Sequence, residues 1–231
     1  MQLSLTDRRV GDATVITCRG RIVAGKEAAS LQHKLDALMP RNRHLVLHLG
    51  EVDFIDSSGL GLLVRYLVRA RHGSGTLSVC AVSSKIDEVL RITKLKTVFA
   101  PYETEAAAIS EAHAKDHVVA GSNAGAATVL CVDTSADVAT YLRELRKAAG
   151  YRVLSAHNLP DALILLVAAK PAVVVMGAEL RSTSGTRTAD EFHRMAAARA
   201  VVALPPGFSG RDAAEASQEV LQAIAAAIPA R

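Results

Sequence analysis

Leu3 and Leu5 sit between polar neighbours, and a β-branched run follows at Val15, Ile16 and Thr17 before Cys18. Alternation of period two predicts two strands joined near Gly11 and Asp12, the second ended by Gly20. The period then becomes helical. Ala28, Leu31, Leu35 and Leu38 predict a helix over 26–39, closed by Pro40, and a strand over 44–49 comes next. The stretch 52–63, VDFIDSSGLGLL, starts apolar, turns at Asp56-Ser57-Ser58-Gly59 and becomes a helix over 58–71. Leu60, Leu63, Val64, Leu67 and Val68 fall at i, i+3, i+4, i+7 and i+8, one face of that helix. Asp56, Ser57 and Ser58 lie where side-chain oxygens accept from unpaired helix N–H groups. Gly59 and Gly61 leave backbone open to a closely approaching partner while lowering helix propensity.

Further along, Gly73-Ser74-Gly75 is a turn and 76–82 a strand. Residues 84–92 form a short helix with Ile86, Val89 and Leu90 inward, 97–100 a last short strand and 105–114 an amphipathic helix. Strands alternating with helices give an α/β layer in which helices cover a mixed sheet. The stretch HAKDHVVAGSNAGAA, 113–127, loses periodicity and reads as a connector, which sets a first domain at 1–114, a linker at 115–127 and a second domain at 128–231. The second domain repeats a strand–helix pattern. Strands fall at 128–132, 151–156, 172–176 and 201–204, and helices at 138–149, 160–169 and 212–228. That order implies a parallel sheet with any ligand chemistry at the carboxyl ends of its strands.

Composition narrows the picture. A chain of 231 residues with 50% apolar and 22% charged residues is long enough for two modest domains and is a folded, not a disordered, sequence. Aromatics make up 3%, so the cores are built from Leu, Val, Ile and Ala. The net charge of +4 comes without a clustered basic stripe or interleaved aromatics, so direct nucleic-acid binding is not expected. Cys18, Cys80 and Cys131 each lie in an apolar run without CxxC or Cys/His spacing, and read as buried reduced thiols. No apolar h-region follows Met1 and no run nears the ~18 residues of a membrane span, so a cytoplasmic protein with no membrane partner is expected.

Candidate chemistry concentrates at the central turn. A serine hydroxyl on a strand-to-helix turn is open to a kinase, and a phosphate there adds about −1.5 to −2 charge at pH 7. The helix N-terminus stabilises such an anion locally, but a partner packed on the turn would meet a hydrated dianion. The alternative is that the serines only cap the helix. His44 and His48 share a strand face but lie ~13 Å apart at ~3.3 Å per residue, too far to chelate one metal. There is no nucleophile elbow, Gly-rich phosphate loop or paired-carboxylate set, so no enzyme, cofactor or metal is expected.

FIDSSGLGLL, preceded by the strand at 44–49 and followed by that at 76–82, resembles the STAS domain of anti-sigma factor antagonists, over roughly residues 1–115. The resemblance implies a non-catalytic partner switch. It makes Ser57 the phosphorylated serine and places partner contacts at Asp56, Ser57, Ser58, Gly59, Leu60 and Gly61. It implies as partner an anti-sigma factor with serine-kinase activity, and as counter-enzyme a PP2C-type phosphatase. Such antagonists often carry an acidic residue at the end of the second strand, where this chain has Val23; a scaffold role in a larger signalling assembly is the alternative that this departure favours. The second domain resembles the first half of a two-component receiver, a flavodoxin-like parallel sheet, in truncated and degenerate form. Asp133-Thr134 supplies one carboxylate where receivers have two, the phosphoacceptor position is Gly177, the hydroxyl position is Pro205, and Glu179 is not placed to substitute. Such a domain does not run phosphoaspartate chemistry, which leaves dimerisation, docking or regulation.

Overall fold

The alternating start of the chain folds into an antiparallel hairpin, β1 (Ser4–Val10) and β2 (Ala13–Ile22), turning at Gly11 in the left-handed region. The structure, a computed structural model, describes residues 2–73, 75–119, 127–135, 138, 151–204, 208 and 213–228. It divides into two units, Met1–Ala112 and His113–Arg231.

In the first unit β2 pairs in parallel with β3 (His44–Ile55), and β3 with β4 (Thr76–Cys80), so the sheet is mixed, in the order β1-β2-β3-β4. The second strand does not end at Gly20 as the sequence suggests. Gly20 adopts φ 96° at a register shift against β3, and pairing resumes through Arg21 to Ile22. A glycine tolerates that φ without strain, so here it marks a bulge inside a strand. β3 likewise runs past Leu49 to Ile55, which carries the chain to the central turn.

Helix α1 (Lys26–Leu38) and helix α2 (Ser57–His72) follow the pattern that predicts them. Leu31 and Leu35 of α1 are buried, with Leu60, Leu63 and Leu67 of α2. Val64 is half-buried against the core, whereas Val68 at the stripe's edge is 45% exposed. Leu62, Tyr66 and Ala70 are also buried, so α2 presents a wider face to the core than its stripe suggests. Burying each such Leu contributes roughly 1.5–3 kcal/mol. Helix α3 (Ser84–Ile92) points Ile86 and Leu90 inward and leaves Val89 half-buried.

The strand expected at 97–100 is instead helix α4 (Lys96–Phe99). Thr97 and Val98 favour strands, but the segment is too short for periodicity to decide. The Thr97 hydroxyl donates to the Lys94 carbonyl, the Phe99 N–H to Leu95, and Phe99 packs into the core. Tyr102 supplies a single parallel bridge to Cys80 instead. Helix α5 (Glu105–Val119) continues five residues beyond Ala114, through the start of the expected linker; residues 120–126 of that linker lie outside the described residues. The successive residues Asp7 and Arg8 of β1 point to opposite faces, Asp7 pairing with Lys34 of α1 and Arg8 with Glu105 of α5.

The second unit has four parallel strands, β5 (Thr128–Val132), β6 (Arg152–Ala156), β7 (Val173–Met176) and β8 (Ala200–Ala203), in the order β6-β5-β7-β8. Helix α6 (Leu159–Ala169) begins at an Asn158 cap and a first-turn proline, and a terminal helix (Ala213–Ala227) matches the expected one. Two helices unseen in the pattern, α7 (Ala178–Ser182) and α8 (Arg187–Ala196), lie between β7 and β8. Thr186 caps α8, which buries Ala189, Phe192 and Ala196; these fall at i, i+3 and i+7, a helical stripe that the pattern reading passed over. The helix expected at 138–149 falls outside the described residues except for Val138, as does Pro205.

Candidate functional site

At the carboxyl end of β3 the chain passes into α2 through Asp56, which is the N-cap. Its backbone is extended, φ −96°, its N–H donates to the Ile22 carbonyl at 3.1 Å, and its own carbonyl accepts the first helical bond, from Leu60, at 2.9 Å. The carboxylate holds two elements together. Oδ1 accepts from the Gly59 N–H at 2.9 Å, and Oδ2 from the Ala24 N–H at 2.9 Å, in the loop between β2 and α1. The Ala24 N–H, then that of Gly59, hold the Asp56 carboxyl below the usual carboxylate range, because both bonds favour the charged form.

Of the three residues expected to cap, Asp56 makes the cap. Ser57 is the first residue of α2, and Ser57 and Ser58 are exposed. Among the described residues neither hydroxyl engages a protein partner. The two glycines differ. A Cβ on Gly59 would lie 2.6 Å from the Ile22 carbonyl oxygen and 2.8 Å from Ile55 Cγ1, so only glycine lets α2 start this close to β2. A Cβ on Gly61 would meet nothing within 4 Å. Gly59 and Leu60 face the core, so the part of 56–61 that a partner reaches is Ser57, Ser58 and Gly61 beside the half-buried edge of Asp56.

Sequence reading missed the neighbouring surface. Phe54, 45% exposed, lies two residues before Asp56, and the Arg21 guanidinium stacks 4.9 Å from its ring centroid. Arg21 and Phe54 are register partners across β2 and β3, beyond the Gly20 bulge. The signal available was an aromatic immediately before IDSSG in a chain with only four Phe. Val23, at the position of the missing carboxylate, is half-buried, and its carbonyl accepts from Ala28. The rim of the turn therefore carries a guanidinium on an aromatic, with no acid at 23.

His44 is buried, with Nδ1 2.9 Å from the Thr76 hydroxyl. Burial pushes the Cys18 and Cys80 thiols up to about 12, and raises Cys131 further. Among the described residues no three His, Cys, Asp or Glu side chains converge on a metal-sized site, and no helix is long and apolar enough to cross a membrane.

In the second unit β5 and β7 diverge into connections that leave opposite sides of β5, the place where parallel sheets of this kind open a crevice. Asp133, Thr134, Gly177 and Glu179 line a cleft of about 110 Å³ there, room for about three or four waters. Asp133 Oδ1 accepts from the Ser135 N–H at 2.7 Å, and the Thr134 hydroxyl donates to Glu179 Oε2 at 3.0 Å. A Cβ on Gly177 would collide with the Asp133 carboxylate.

Residues 5–108 match the STAS domain family. BtrV of Bordetella bronchiseptica, named an anti-sigma factor antagonist, is 29% identical over 89 residues, which are 77% of that protein and 38% of this chain. The anti-sigma F factor antagonist of Paenibacillus polymyxa is 35% identical over 69 residues, 58% of its length. Unphosphorylated SpoIIAA, an anti-sigma factor antagonist, is 18% identical over 50% of this chain and 98% of its own, with a TM-score of 0.36. Over residues 5–108 the N-terminal unit is thus similar to STAS domains, and the relatives it matches there are named anti-sigma factor antagonists.

Proposed function

We propose that this protein is an anti-sigma factor antagonist that works by partner switching. It binds an anti-sigma factor with serine-kinase activity while Ser57 is unmodified, and releases it when Ser57 carries phosphate. The observation that carries the reading is the division of labour at the turn. Asp56 makes both the cap and the bond to Ala24, so the exposed Ser57 hydroxyl can be modified without dismantling the helix start. The phosphate adds about −1.5 to −2 charge beside the ionised Asp56, and changes the surface a partner meets more than the fold beneath it. Ser57, Ser58 and Gly61 form the partner face, Asp56 shapes it, and Gly59 and Leu60 support it from the core side. A PP2C-type phosphatase restores the binding form. The protein itself is non-catalytic and cytoplasmic.

The second unit serves as a receiver-like module without phosphoryl chemistry. Its parallel sheet, the single acid at 133 and glycine at 177 support that reading. The working boundaries are 1–114, 115–127 and 128–231.

The test is co-purification from native lysate with Ser57→Ala and Ser57→Asp chains. Partner switching predicts that Ser57→Ala retains an anti-sigma kinase and Ser57→Asp loses it. Retention by both reduces Ser57 to a surface residue of the helix start. A scaffold role is the second reading, favoured by Val23 in place of an acidic residue on the rim. It predicts one stable assembly with both variants.

A further inference from the structure

Ser57 stands at the head of a line along α2. Ser57, Gly61, Val64 and Val68 fall at i, i+4, i+7 and i+11, so they lie one above another on the helix. Ser57 and Gly61 are exposed, Val64 is half-buried and Val68 is 45% exposed. This line runs on the side of α2 away from α1. The other side is taken by Arg65, Tyr66 and Arg69, which bond to Gln32 and Asp36 of α1.

The neighbour on the free side is α3. Both helices start at the carboxyl end of the sheet. The Ser83 hydroxyl, at the start of α3, donates to the Val52 carbonyl at 3.1 Å, and Arg71, in the last turn of α2, donates to the Val98 carbonyl, beyond α3, at 3.3 Å. Helices that run side by side on one sheet face turn equivalent positions toward the helix before them. Val89 and Ile92 stand to buried Leu90 as Tyr66 and Arg69 stand to buried Leu67, so they face α2. Lys85 lies one turn before Val89 on the same line. Val89 is half-buried and Ile92 is 66% exposed. Val68 and Ile92 therefore edge one apolar strip that begins at Ser57, and a contiguous strip of this kind marks an interaction site where scattered apolar residues do not. Its two ends are cationic. Lys85 lies at the Ser57 end and Arg71 at the other, and among the described residues neither pairs with a carboxylate. Asp87 and Glu88 of α3 are taken up by Lys96 and Arg91.

From this strip we infer that the partner recognised at Ser57 docks an acidic amphipathic helix between α2 and α3. Its apolar stripe covers Val64, Val68, Val89 and Ile92, and its flanking carboxylates meet Lys85 and Arg71. The inference rests on the partner-switching reading for the partner's identity. It gives phosphate on Ser57 a direct consequence: about −1.5 to −2 charge enters at the head of a strip that takes an acidic segment. Release then follows from repulsion at one end of the docked helix.

The experiment is a fluorescence-anisotropy titration of the full chain with two fluorescein-labelled helical peptides of about five turns. Both carry the same leucine stripe at i, i+3, i+4 and i+7. The remaining positions are Glu and Ala in one peptide, Lys and Ala in the other. The expected result is one saturable site for the acidic peptide. Its Kd rises at least tenfold in Val68→Ser/Ile92→Ser and is unchanged in Val167→Ser, which alters an exposed valine of the second unit. The basic peptide binds at least tenfold more weakly. An unchanged melting temperature checks the double variant. Equal Kd values for wild type and the double variant, equal binding of the two peptides, weakening in Val167→Ser, or no saturable binding overturns the proposal. No kinase enters the titration, so its failure strikes the strip and leaves partner switching standing. Identical partners for Ser57→Ala and Ser57→Asp chains beside a saturable acidic-peptide site strike the switch and keep the strip.

Discussion

Asp56 accepts the backbone N–H of Ala24 at 2.9 Å across 32 residues of sequence, while its other oxygen caps α2. One carboxylate thus ties the β2–α1 loop to the start of α2. Asp56→Ala should destabilise the chain by roughly 0.5–2 kcal/mol, the usual cost of losing a cap, measured by urea denaturation. A variant as stable as wild type would show that the turn holds its shape without this carboxylate.

The same bonds set a pH dependence. The Asp56 carboxyl is held below its ordinary value in the folded state, so its contribution is fully present above the unfolded carboxyl pKa near 3.9. It is lost as pH falls from there through the lower folded value. The stability difference between wild type and Asp56→Asn should therefore be constant from pH 7 to about 5 and shrink below about 4. A difference that grows on acidification contradicts this sign.

Gly59 and Gly61 should respond oppositely to alanine. Gly59→Ala forces a methyl against the Ile22 carbonyl and Ile55 and should cost about 1–3 kcal/mol through displaced backbone. Gly61→Ala enters open space inside a helix and should stabilise by about 0.5–1 kcal/mol. Thermal melts of the two single variants decide it.

Much of this domain can be read from the chain, and what cannot is non-local. The i, i+3, i+4 stripe from Leu60 locates α2, and the DSSG string locates its start, because both are repeats or caps within one element. The difference between Gly59 and Gly61 is invisible in sequence, since it depends on a carbonyl of β2. The Arg21–Phe54 stack arises from cross-strand register after a bulge, and Gly20 alone reads as a strand end. Thr97 and Val98 look like a strand until Phe99 is drawn into the core. In the second unit, strands β5 to β8 are continuous apolar runs and easy to find, whereas α8 is there to be read in its Thr186 cap and its i, i+3, i+7 stripe of Ala189, Phe192 and Ala196 but is short and two of those three residues are alanines.

Phe54 tests the partner face independently of phosphorylation. It is 45% exposed, so Phe54→Ala should alter stability by only about 0.5 kcal/mol. If it anchors the partner with Arg21, binding should weaken by about 2 kcal/mol, roughly thirtyfold in Kd. Calorimetric titration with the partner captured in the Ser57 experiment measures it, and an unchanged Kd removes this surface from the interface.

In the second unit, Gly177→Asp restores a carboxylate at the end of β7 but drives it into Asp133. It should cost about 1–3 kcal/mol by crowding alone, with like charges adding to it. Adding Asp133→Ala should recover part of that loss, a non-additivity of roughly 0.5–3 kcal/mol readable in a double-mutant cycle. Strict additivity would mean that the two positions do not share space.

The ion pairs of β1 bear on how the chain behaves in a crowd. β1 is an outer strand of its sheet, and an outer strand offers unpaired backbone to any passing chain. Asp7 and Arg8 are fastened to Lys34 and Glu105, and exposed Arg9 lies beside them. A second copy adding itself to this edge would have to dehydrate a run of charges with no apolar surface in return, so β1 is a poor template for end-to-end growth of the sheet into aggregates.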